Sequence, residues 1–439
     1  MVKQGFILMA IIFLSACKSY NYVKTTSQFE HFIEKNKVSQ FSFTGFCLYD
    51  LYSKSYLIHY QDDKYFTPAS NVKLLTLLSG LKILGNAPNT TVDGLRYALH
   101  GDSLIFCGTG DPTLLHLDFS YQKIFNLLKK SDKKLFYFDS NWHDTSFGNG
   151  WSWDDYTEYY SAEKSPLPLY GNVVRVEKDT QQALSVVPSY FQKYFLQDSN
   201  LTQNTVTRKQ FSNNFTYFKP DETDIPYLTS GVLTANLLSE ALQKEVGYLR
   251  NYPLQTDLKT ISSIAADTLY RKMLQESDNF MAEQILILCA NKLNTNDLNS
   301  KNAIDFVQKK YLSDLSQPPR WVDGSGLSRL NLATPRSMVE VLLKIYQEIA
   351  PNLEGEVRLF SLFSAGGQSG TLRNFYNASP PFLFAKTGTL SNNHNLSGFF
   401  RTKSGKLLCF SWMNNHFMTS SADIKKQMEE VLTNIYLKY

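Results

Sequence analysis

The sequence predicts an α+β fold in which an antiparallel sheet, drawn from both ends of the chain, is flanked by helices and interrupted by a large insert. Three observations predict it. Strand-like alternation appears early (FSFTGFCLYD, 41–50, and YLIHY, 56–60) and returns three times near the end, over 382–390, 396–403 and 406–414. Helical periodicity fills 264–274, 280–291, 302–311 and 337–349. The stretch from about 86 to 260 has a different texture of short strand candidates, aromatic clusters and turns. Strands at both ends with helices between them are most simply satisfied by one shared sheet, with the middle of the chain inserted elsewhere.

Taken in order, the chain opens with Lys3 and an apolar run at 6–14 (FILMAIIFL), long enough for a signal-peptide core and too short to span a bilayer. Leu14-Ser15-Ala16-Cys17 resembles the bacterial lipobox, in which cleavage precedes the cysteine and that cysteine carries the lipids. Residues 1–16 are therefore expected to be a lipoprotein signal peptide, Cys17 the lipidation site and 17–27 a polar tether. That places the working domain in the cell envelope, held to a membrane and facing the periplasm or the exterior.

The hairpin 41–60 follows, then a helix that starts at Thr67-Pro68-Ala69, repeats Leu74, Leu75, Leu78 and Leu81 at helical spacing, and stops at Gly85. Beyond the middle stretch, Lys403-Ser404-Gly405 turns between the last two strands, and a final helix is expected over about 421–437. The expected division is one domain from 28–85 and 261–439, with 86–260 as an inserted accessory region of one or two nested subdomains.

Composition excludes several functions. The chain has 439 residues, of which 43% are hydrophobic, enough to bury a large core. Its 44 basic and 40 acidic residues leave a net charge of +4, too mild and too evenly spread for a nucleic-acid partner. Five scattered cysteines without CxxC and seven histidines without HExxH suggest no metal site and no cofactor. Cys47, Cys107, Cys289 and Cys409 are expected to be free thiols.

The chemistry is expected at Ser70, in Pro68-Ala69-Ser70-Asn71-Val72-Lys73. A serine at a helix N-terminus with a lysine three residues on places both side chains on one face, so that the amine reaches the hydroxyl. The lysine serves as a base only when burial or neighbouring positive charge keeps it neutral. SxxK alone discriminates poorly, because it also occurs at Ser15, Ser79, Ser120, Ser131 and Ser161. Only Ser70 follows a strand and opens a strongly apolar helix. Setting likewise selects Ser277-Asp278-Asn279 among the SxN triplets, and Lys386-Thr387-Gly388, on an apolar strand, over Lys403-Ser404-Gly405 in a turn.

In this order the three motifs resemble the signature of penicillin-binding proteins and serine β-lactamases. The 204 residues from Lys73 to Ser277 exceed what a class A β-lactamase needs. The chain is thereby similar to the S13 peptidases, the D-alanyl-D-alanine carboxypeptidases known as class C low-molecular-mass penicillin-binding proteins. Supporting segments are GTGDPTL (108–114), GWSWDD (150–155), DGSGLSR (323–329) and GTL (370–372). The resemblance implies a β-lactamase/transpeptidase-like fold and a serine carboxypeptidase or DD-endopeptidase acting on peptidoglycan stem peptides, with β-lactams as acylating inhibitors.

Residue by residue, the resemblance makes Ser70 the nucleophile and Lys73 its general base. Lys386 repels the Lys73 charge and, with Thr387, binds the terminal carboxylate. Ser277 relays a proton to the leaving amine, and Asn279 holds the substrate amide and the Lys73 amine. The backbone N–H groups of Ser70 and Thr389 form the oxyanion hole. Asp155 and Arg329 match positions near the stem-peptide side chain, against blander readings as a cap and a surface ion pair. Asp111 and Asp323 read as turn residues.

Two other classes compete. A β-lactamase or esterase shares the nucleophile, but 284–339 contains no glutamate to drive deacylation. A non-catalytic wall-binding lipoprotein would not acylate. The motifs leave open whether the enzyme trims terminal D-alanine or cuts cross-links.

Overall fold

A computed structural model describes residues 23–36, 38–39, 41–178, 183–201, 205–253 and 257–439; the leader and Cys17 lie outside them. Helix α1 (Thr26–Lys35) begins at a capping box, with Thr25 and Gln28 each accepting the other's backbone N–H. Val23, Phe29, Phe32 and Ile33 are buried. The expected tether over 17–27 is therefore too long. From Val23 onward the chain belongs to the fold, because its apolar side chains repeat at helical spacing across TSQFEHFI.

Strands β1 (Phe43–Asp50) and β2 (Ser55–Tyr60) form the first hairpin, and a 3-10 turn at Ala69–Val72 runs into α2 (Lys73–Ile83). The next stretch comprises β3 (Thr91–His100), β4 (Ser103–Gly108), α3 (Lys123–Lys130) and β5 (Lys134–Tyr137). It continues through β6 (Val173–Lys178), β7 (Leu184–Val187), β8 (Phe195–Gln197), β9 (Thr205–Arg208), β10 (Phe215–Phe218) and β11 (Thr223–Pro226). It ends with α4 (Gly231–Leu242), β12 (Val246–Tyr248) and β13 (Lys259–Ala265). These strands make three sheets, ordered β12-β5-β4-β3-β13, β11-β6-β7 and β8-β10-β9. Leu95, Phe106, Leu128, Val174, Phe215 and Leu238 join the three into one apolar core. Because β13 pairs with β3, this region extends past the expected boundary at 260, to Ala265.

Helices α5 (Ala266–Gln275), α6 (Asn279–Leu293), α7 (Ser300–Tyr311), α8 (Pro335–Ile349) and α9 (Leu353–Leu362) follow. Strands β14 (Ser364–Ala365), β15 (Leu383–Leu390), β16 (Asn393–Arg401) and β17 (Leu407–Asn415), then α10 (Ser421–Lys438), complete the chain. The central sheet runs β14-β15-β16-β17-β1-β2, so the last strand pairs with the first, from Phe43 opposite Asn415 to Asp50 opposite Leu408. Alternation in β1 and β17 serves both faces. Phe46, Leu48, Phe410 and Trp412 pack with α1 and α10, whereas Cys47, Cys409 and Met413 join the core of α2, α5, α6 and α8. The four cysteines among the described residues are free and buried.

Candidate active site

The nucleophile candidate sits where three elements meet: the 3-10 turn before α2, the segment before α6, and β15. Two glycines permit the approach. A Cβ on Gly388 would lie 2.5 Å from the Pro68 carbonyl oxygen, and one on Gly326, at φ +80°, would lie 1.9 Å from that of Ala69. Backbone strain accompanies this closeness. Ala69, just before the serine, and Ser277 both adopt left-handed φ, at 48° and 61°, a conformation that costs non-glycine residues on the order of 1–3 kcal/mol each.

Lys73 is fully buried, and its Nζ meets three oxygens: Ser70 Oγ at 2.9 Å, Asn279 Oδ1 at 2.6 Å and the Ser325 carbonyl at 2.7 Å. A neutral amine has two N–H bonds and one lone pair. Asn279 and Ser325 offer acceptors only, so they take the two N–H bonds and leave the lone pair for the Ser70 hydroxyl. Burial pulls the Lys73 pKa down to about 8, against the opposing charges of Asp278, Asp323 and Glu283.

Lys386 is also fully buried; its Nζ donates to Ser277 Oγ at 2.7 Å and to the Thr387 carbonyl at 2.7 Å. Among the described residues neither lysine is paired with a carboxylate. The expected repulsion between them acts chiefly on the other partner. Burial first and the Lys73 charge second push Lys386 down, while Lys73 is depressed by burial alone.

Asn279 is occupied at both ends, because its Nδ2 donates to the Tyr160 carbonyl at 3.0 Å. The NH2 group carries a second hydrogen, so the expected hold on a substrate amide adds to that bond without breaking it. The Thr387 hydroxyl donates to Thr371 Oγ1 at 2.8 Å, and Thr389 Oγ1 lies 2.8 Å from His394 Nδ1. Burial, helped by Lys425 and Lys386, drops the His394 pKa to about 3, so the ring is neutral.

Ser70, Ser277, Asn279, Thr387 and Thr389 line a cleft of about 880 Å³, which Asp155 and Arg329 line as well, whereas Lys73 and Lys386 are fully buried and reach it only through their hydrogen-bond partners. Neither Asp155 nor Arg329 takes its blander reading. Asp155 makes no cap and instead accepts from the Tyr160 hydroxyl at 3.1 Å, and Arg329 donates to the Ser391 carbonyl at 3.4 Å without an ion pair. Asp111 and Asp323 do organise turns: Asp111 accepts from Thr113 N–H, and Asp323 from the N–H groups of Gly326 and Ser328.

Residues 26–214 and 232–435 match the family model described as D-Ala-D-Ala carboxypeptidase 3 (S13). The chain belongs to the S13 family. This S13 chain is 24% identical to D-alanyl-D-alanine carboxypeptidase DacB of Haemophilus influenzae over 92% of its own length and 93% of that protein. Its fold matches the crystal structure of penicillin binding protein 4 (dacB) from Haemophilus influenzae at a TM-score of 0.73 and 23% identity, covering 91% of this chain and 97% of that one. A predatory peptidoglycan endopeptidase of Bdellovibrio bacteriovorus shares the fold at a TM-score of 0.52 and 16% identity, covering 91% and 95%. The shared fold is the transpeptidase-like α+β arrangement expected.

Several contacts of the S13 site escape sequence reasoning. The Ser325 carbonyl that orients Lys73 is backbone, which no motif marks. Trp151 Nε1 donates to Asp323 Oδ2 at 2.9 Å, tying the GWSWDD segment to the turn beside Ser70. That segment and DGSGLSR are visible in sequence as family-like stretches, but not as partners of each other.

Proposed function

We propose that this chain is a serine D-Ala-D-Ala carboxypeptidase that also cuts D-alanyl cross-links, working on peptidoglycan stem peptides through an acyl-enzyme on Ser70. The observation that carries this reading is the triple contact of Lys73, which in the neutral amine leaves the lone pair for the Ser70 hydroxyl. Lys73 takes the proton as Ser70 Oγ attacks the carbonyl of the penultimate D-alanine. The backbone N–H groups of Ser70 and Thr389 receive the oxyanion. Ser277 passes a proton to the departing amine, and water then frees the shortened peptide. Lys386, whose charge burial and Lys73 disfavour in the empty site, becomes the cation when the terminal carboxylate enters and stabilises it, and the Thr387 hydroxyl turns from Thr371 to donate to the same carboxylate. Asp155 and Arg329 meet the stem-peptide side chain farther along the cleft. β-Lactams mimic the D-Ala-D-Ala amide and leave Ser70 acylated.

Purified protein incubated with monomeric pentapeptide and, separately, with cross-linked muropeptides is expected to release D-alanine from the first and monomers from the second. Loss of neither substrate would refute the peptidase reading.

In the same reading, the chain from the start of the fold to α2 and from α5 to α10 is the catalytic domain, and β3 to β13 form an accessory domain that helps wall the cleft. The protein works in the cell envelope, held by lipid on Cys17. Among the described residues no helix is long and apolar enough to cross a membrane; the proposed anchor is the lipid on Cys17, left after the leader is cleaved. Wild type is expected to incorporate labelled fatty acid and Cys17→Ala to incorporate none. Equal labelling of the two, or none in wild type, would reject the anchor.

A further inference from the structure

Glu283 stands one helical turn after Asn279 on α6, is buried, and takes no part in the steps above. Its two oxygens accept the backbone N–H groups of the turn beside the nucleophile: Oε1 from Ser325 at 2.8 Å and Oε2 from Gly324 at 3.1 Å. The carbonyls of the same two residues face α2, where Gly324 O accepts from the Thr76 hydroxyl at 2.7 Å and Ser325 O accepts from Lys73 Nζ. The turn is thus gripped by a carboxylate on one side and by the nucleophile's helix on the other. Asn279 and Ser325 orient the Lys73 amine, and two carboxylates hold the Ser325 peptide groups: Glu283 accepts its N–H, and Asp323 accepts the Gly326 N–H that shares a peptide plane with the carbonyl.

We propose that Glu283 is a positioning residue for acylation: through the Gly324-Ser325 backbone it fixes the carbonyl that aims the Lys73 lone pair at Ser70, and its charge sets the acid edge of the reaction. This rests on the acyl-enzyme reading. The charged groups around Glu283 are Lys73 from α2, Asp323 from the turn, and Lys164 from the accessory region, itself bound to Asp144 at 3.0 Å. Burial and Asp323 push the Glu283 pKa up, while Lys164, the Ser325 side chain and the Gly324 N–H hold it down. A carboxylate near Lys73 favours the ammonium form, so its removal lowers the lysine's pKa and moves the acid limb of acylation to lower pH.

The test uses full-length protein and a fluorescent penicillin, separating non-covalent affinity from the acylation rate constant across pH. Wild type is measured first, and its failure to acylate would sink the acyl-enzyme reading itself. With wild type active, Glu283→Gln is expected to shift the acid limb to lower pH. It is also expected to lower the acylation rate constant on the order of tenfold at little change in affinity, as misorientation does. An unmoved limb would overturn the proposal whatever the plateau rate. If Glu283→Gln does not fold, Thr76→Val loosens the same turn from the other side. A several-fold lower acylation rate constant at unchanged affinity supports the proposal, and an unchanged rate constant overturns it.

Discussion

Ser70→Ala is expected to yield a folded protein that fluorescent penicillin does not label and that releases no D-alanine from pentapeptide. The effect is total for labelling, because among the described residues Ser70 carries the one hydroxyl that is hydrogen-bonded to the Lys73 amine. Folding should be spared. The Ser70 side chain is half-exposed in the cleft and hydrogen-bonds only Lys73 among the described residues, so the change in stability should stay within about 0.5 kcal/mol. Mass spectrometry of penicillin-treated protein with a thermal melt checks both halves. A surviving adduct in the variant would place the nucleophile elsewhere.

Lys73→Met is expected to cost nearly as much. Methionine fills a similar volume without a proton acceptor, and loss of a positioned base lowers rates by about 10²–10⁴-fold, or roughly 3–5 kcal/mol of barrier. The pH profile separates this from a packing fault. In wild type the amine must be neutral to act, so with its pKa near 8 the acylation rate should climb about tenfold per pH unit below that value and level off above it. The variant should show a low rate that stays flat through the same range. A retained climb would assign the titration to another group.

The catalytic half of the fold is legible because its signals are long and periodic. The β1–β2 hairpin, α2, α5 to α8, the three closing strands and α10 all stand within a few residues of where alternation and 3.6-residue spacing put them. Helix α9 escapes because Gly355 interrupts a short amphipathic run, and α1 because its polar flanks continue those of the leader. Inside the insert most strands are only three to six residues long. At that length pairing partners decide the structure more than local pattern, so α3 and α4 vanish among turns.

The site divides the same way. Ser70, Lys73, Ser277, Asn279 and Lys386 carry side-chain chemistry that a motif encodes, and the structure gathers them at one point. What holds them there is written differently. A backbone carbonyl at Ser325, a buried carboxylate at Glu283 and an indole at Trp151 acquire meaning only when segments far apart in sequence meet. Burial is the other hidden variable, since it depresses both lysines more than their mutual repulsion does.

The pairing of β1 with β17 has a consequence for synthesis. The Thr44 hydroxyl donates to Asn414 Oδ1, 370 residues later, and the strand that follows the first hairpin in the sheet is the last one made. Contacts that close such long loops form late and slowly. The sheet that backs the nucleophile therefore lacks its middle strand until nearly the whole chain has been released. Until then the site around Ser70 stays unassembled, however much of the insert has already folded.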